Sequence, residues 1–63
     1  MSEKPTCKLT GADGNVFNLI GLAGRALRRA GMFEAEKEMT DKCLASKSYD
    51  EAIQIIMSYV EVE

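Results

Sequence analysis

Apolar residues recur along this chain with two different periods, and the change of period marks its elements. From Thr6 to Thr10 the residues alternate, Cys7 and Leu9 to one side and Thr6, Lys8 and Thr10 to the other, which is the repeat of a half-buried strand. From Val16 the period lengthens. Val16, Leu19, Ile20, Ala23, Ala26, Leu27 and Ala30 follow the spacing of one helix face, with Phe17 beside it, and predict a helix over 16–30. Met32, Ala35, Met39 and Cys43, with Phe33 and Leu44 widening the face, predict a second helix over 32–45 whose outer positions are charged. From Tyr49 a third stripe, Ala52, Ile53, Ile56, Met57 and Val60, leaves Ile55 and Tyr59 to one side. Val60-Glu61-Val62-Glu63 then alternates again, so the two ends can pair as a small sheet, which needs helices behind it. The expected fold is mainly α: a compact three-helix domain over residues 6–63, with a short N-terminal strand that can pair with the C-terminal VEV. Residues 1–5 are expected to be disordered, since nothing in them packs and Pro5 cannot donate to a ladder.

Punctuation residues support these limits. Asn15 is placed to cap the first helix, and Gly31 to close it in the left-handed conformation. Ser48-Tyr49-Asp50-Glu51 is a capping box, in which serine accepts from one free N–H and glutamate reaches back to another. Gly11-Ala12-Asp13-Gly14-Asn15 reads as a sharp strand-to-helix turn; it lacks the spacing of a phosphate-binding loop and the oxygen ligands of a calcium loop. Gly21 and Gly24 each cost about 1 kcal/mol against alanine inside a helix, so close packing against another backbone is expected to offset them.

With 63 residues the chain makes one domain, small enough that a staple or a partner would help it. Cys7 and Cys43 supply no staple, for they are lone residues without CxxC spacing, and histidine is absent. An intrachain zinc site is not expected. Both thiols read as reduced, buried and small, which suits a cytoplasmic protein. No apolar run suits a membrane span, and MSEKPT has no hydrophobic core for export. The net charge of −2 conceals a basic first half and an acidic second half, which attract each other within the fold or between copies.

Catalysis finds little support. Without histidine the commonest general base is missing, and Glu34, Glu36 and Glu38 are expected to point to solvent. No catalytic, cofactor-binding or metal-ligating residue is expected, and a domain this small leaves little room for a ligand-burying pocket. Two features remain as contact sites. Arg25, Arg28 and Arg29 share one helix face, either as a site for phosphate or acidic groups or as cations that suit a helix C-terminus. The third helix is apolar over more than half its circumference, so Ile55 and Tyr59 meet either the N-terminal strand or a partner. The leading expectation is a non-enzymatic interaction module with an unknown protein partner or a second copy as a homodimer, using the glycine-bearing first helix or the Ile55/Tyr59 side of the third. The alternative is a weak nucleic-acid binder using Arg25, Arg28 and Arg29, disfavoured by the acidic later helices.

The combination of Lys8, Leu9, Gly11, Asp13, Gly14, Asn15 and Phe17 with Ala30-Gly31, and of Tyr49, Asp50 and Met57 with Val60-Glu61-Val62-Glu63, resembles a group of small uncharacterised bacterial and prophage-type proteins. They share a KL-x-G-x-DGN-x-F segment, a basic helix ending in AG, and a YD…M-x-x-VEVE end. The resemblance covers nearly the whole chain and implies a bacterial or mobile-element setting, with no activity attached.

Overall fold

The computed structural model describes residues 4–9 and 14–63. Five elements follow in order: β1 (Thr6–Cys7), α1 (Val16–Arg29), α2 (Phe33–Leu44), α3 (Tyr49–Tyr59) and β2 (Glu61–Val62). The chain is a three-helix domain with a two-stranded sheet, as the periodicities predict. Of the expected strand-to-helix turn, Gly11, Ala12 and Asp13 lie outside the described residues, as do positions 1–3 of the expected disordered start.

Local chemistry sets the ends of α1. The Phe17 N–H donates to Asn15 Oδ1 at 2.8 Å, so the expected cap is in place. At the other end Gly31 takes φ +77°, a conformation cheap only for glycine. Its N–H donates to the Arg28 carbonyl at 3.0 Å while the Met32 N–H donates to Leu27 at 2.9 Å. These paired bonds form a Schellman closure, and Met32 completes it by packing on the core that contains Leu27. The closure delivers the chain into α2 with no side-chain cap there. α3 starts at the capping box with one displacement: Ser48 Oγ accepts from the Glu51 N–H at 3.1 Å, but Glu51 Oε1 accepts from Lys47, one residue before the cap, at 2.7 Å.

Ala23, Leu27, Met39 and Ile56 reach 0% exposure and Val60 1%, with Cys7, Leu19, Ile20 and Cys43 completing the cluster. Burial of this apolar surface is the main stabilising term, at roughly 1.5–3 kcal/mol for each large side chain. Three large side chains expected in the core are instead exposed, Phe33, Leu44 and Met57, as is Ala30 at the end of the first stripe. The reason is rotational. Phe33 and Leu44 each follow a stripe residue by one position, about 100° around the helix, and Met57 likewise follows the fully buried Ile56. Such a step carries a side chain to the edge of a face that three short helices cannot cover.

The strands pair in parallel, Thr6 opposite Glu61 and Cys7 opposite Val62. Glu61 and Glu63 donate to the carbonyls of Pro5 and Cys7 at 2.8 and 2.9 Å, and the Leu9 N–H donates to Glu63 at 3.0 Å. Cys7 turns into the core while Thr6 and Lys8 face outward. In the first strand the alternation read from the sequence is therefore the alternation of burial, whereas in the second Val62 is exposed beside Glu61.

Candidate functional site

The three arginines of α1 do not act as one patch. Arg28 reaches α2, where its Nη2 meets Glu36 Oε2 at 2.7 Å and its Nε donates to Glu36 Oε1 at 3.3 Å, a two-point fork. Glu36 holds the Arg28 guanidinium above its ordinary pKa, chiefly through this hydrogen bond. The expectation that Glu36 points freely to solvent is corrected, because its side chain is only 20% exposed. Its aliphatic part lies over Gly24, where an added Cβ would meet Oε2 at 3.3 Å and Cγ at 3.4 Å. Gly24 thus makes room for a side chain and not for another backbone. Gly21 has nothing within 4 Å, so its helical cost is not offset by packing at all.

Arg25 and Arg29, one turn apart, turn to the other side of α1. With Thr6 and Lys8 of the first strand segment, and over Leu22 and Ala26, they line a groove of ≈ 240 Å³. Neither these two arginines nor Lys8 has an ion-pair partner among the described residues.

Ile55 and Tyr59 are both half-buried against the core. The Tyr59 hydroxyl donates to Glu38, and Lys42 Nζ lies 5.5 Å from the centre of the Tyr59 ring and 3.8 Å from Glu38 Oε1. Tyr59 first, then Glu38, pushes the Lys42 pKa up. Tyr59 therefore ties α3 to α2, an outcome beyond the two considered from sequence, strand or partner.

A second groove, of ≈ 290 Å³, opens where the start of α1 faces the turn between α2 and α3. Phe17, Leu44 and Tyr49 stand on it with 67%, 59% and 51% of their surface exposed, and Ile20 and Cys43 lie at its base. Sequence reasoning missed this site because each of the three exposed residues sits at the end of its own helix. The available signal was their shared position just off, or just ahead of, an apolar stripe, combined with turns that bring those ends together. Both grooves are smaller than the about 300–1,000 Å³ of a pocket that buries a small ligand.

The thiols of Cys7 and Cys43 are free and buried, and burial pushes both pKa values up. A raised pKa suppresses the thiolate, the form that attacks electrophiles and binds metals. Cys43 Sγ lies 3.8 Å from the Ala52 carbonyl as a weak donor. Among the described residues no group of three or more Cys, Asp or Glu side chains could hold a metal ion, and no helix is long and apolar enough to cross a membrane. No family model matches the chain, and neither does any curated protein or solved structure.

Proposed function

We propose that this chain is a non-enzymatic interaction module, and that its contact surface is the apolar groove of Phe17, Leu44 and Tyr49, with a second copy of the chain as the occupant. The observation that carries the reading is the convergence of three exposed, large apolar side chains from three helices on one concavity. Scattered apolar residues are ordinary on a surface, whereas a contiguous patch marks contact. The same patch offers a projecting phenyl ring beside a groove that can receive one. A two-fold contact needs this kind of self-complementarity, because each copy then supplies both knob and hole. The proposal includes the cytoplasmic, bacterial or mobile-element setting implied by the reduced thiols and by the sequence resemblance.

Light scattering over about a hundredfold range of concentration, at low and high salt, tests the reading. A dimer that forms by mass action, persists in salt and is lost in Phe17→Ser supports it. A mass that stays monomeric throughout overturns the second-copy assignment. A dimer that dissolves in salt and is unaffected by Phe17→Ser also overturns it, and moves attention to the charged surfaces.

A further inference from the structure

The Arg25/Arg29 groove combines two unsatisfied features that one kind of ligand would satisfy together. One is charge: Lys8, Arg25 and Arg29 line the groove or its rim, with no ion-pair partner among the described residues. Arg28, the third arginine expected there, is held on α2 by Glu36. The other feature is a backbone edge. The ladder to β2 uses the carbonyls of Pro5 and Cys7 and the N–H of Leu9. Alternate residues of a strand direct their backbone groups to opposite edges, so the N–H and C=O of Thr6 and Lys8 face away from β2. The groove is lined by β1, Lys8 and α1, without any residue of β2. Among the described residues nothing pairs with this outer edge of β1, which borders the groove that carries the cations.

We propose that this groove binds an extended acidic peptide segment of a partner protein, which adds to the free edge of β1 as a third strand and sets its carboxylates against Arg25, Arg29 and Lys8. An added strand draws affinity from main-chain hydrogen bonds and selectivity from alternate side chains. Thr6 and Lys8 offer two donors and two acceptors at strand spacing, a pattern that an extended peptide matches and a phosphodiester chain, lacking alternating donors, does not. Arginine forks add two-point recognition of carboxylates at the positions where the strand period brings them. Three cations are few for a duplex, whose binding draws on many phosphate contacts. The site shares no lining residue with the Phe17 groove, so each stands or falls alone.

The probe is a fluorescein-labelled octapeptide of alternating glutamate and threonine, amidated at its C-terminus. Its glutamine-for-glutamate analogue and a labelled oligothymidylate are controls. Binding is read by anisotropy at low ionic strength, and amide exchange is followed by NMR. The acidic peptide is expected to bind, with at least about tenfold weaker binding for Arg25→Gln/Arg29→Gln and little change for Arg28→Gln, the size expected for losing two charge-assisted contacts. On binding, the Thr6 and Lys8 amides should slow in exchange. Circular dichroism on each variant is expected to show helicity retained, since neither Arg25 nor Arg29 has an ion-pair partner among the described residues. Equal binding of the glutamine analogue, tighter binding of the oligonucleotide, or binding without protection of Thr6 and Lys8 would each overturn the proposal. Absence of peptide binding would do the same.

Discussion

The two ends of α1 solve the same problem in opposite ways. At its C-terminus the helix is closed three times over: by the left-handed Gly31, by Met32 folding back on Leu27, and by the Arg28 fork onto Glu36 above Gly24. At its N-terminus a single cap, Asn15, satisfies the backbone, and the next turn presents Phe17 to solvent beside Leu44 and Tyr49. One end spends its side chains on fixing a neighbour. The other leaves them uncovered, as a small domain that can bury only part of its apolar surface must somewhere do, and the proposed contact site lies there.

Substitutions can break this contrast. The largest effect is expected at the closed end, where Leu27→Ala removes a fully buried side chain from the centre of the core and should destabilise by about 3 kcal/mol in chemical denaturation. Gly24→Leu should cost about 1–3 kcal/mol, because the new side chain must displace Glu36 and with it the Arg28 fork; an unaltered midpoint would mean that Glu36 swings aside freely. Gly31→Ala forces an L side chain into a positive φ and should cost about 1–2 kcal/mol.

A pH series sharpens the comparison from another side. Burial raises the pKa of Cys7 and Cys43 in the folded state, so the unfolded chain loses these protons first as pH rises. Stability should then hold below the ordinary thiol pKa of about 8.5 and decline above it, towards the raised folded values. Thermal midpoints that stay level from about pH 7 to about pH 10 would contradict this. The smallest effect is expected at the open end. Phe17→Ser should change monomer stability by less than about 0.5 kcal/mol, as for other surface positions, even if it abolishes self-association. A large loss of stability would place Phe17 in the fold and not in a contact.

How far the sequence reached follows the same division. Caps and period are local, so Asn15, Gly31, Ser48 and the buried stripes were legible, as was the pairing of the two alternating ends. Contacts between elements were not. Nothing in RALRR tells which arginine finds Glu36, because that depends on how α2 leaves Gly31. Nothing around Tyr59 announces Glu38, which lies on another helix. The exposure of Phe33, Leu44 and Met57 turned on about 100° of rotation, a margin that decides burial only once neighbouring helices are placed. The apolar groove escaped for the same reason, being made of the ends of elements.

The parallel strand pair also imposes an order of events on the chain's formation. It joins residues of far greater sequence separation than the helix–helix contacts on either side of each turn, and such pairings meet their loop-closure entropy last. During synthesis no ladder bond to Pro5, Cys7 or Leu9 can form until residues 61–63 have emerged from the ribosome. Until then β1 lacks its partner β2, and Cys7 waits for a core of which Val60 is the last member along the chain.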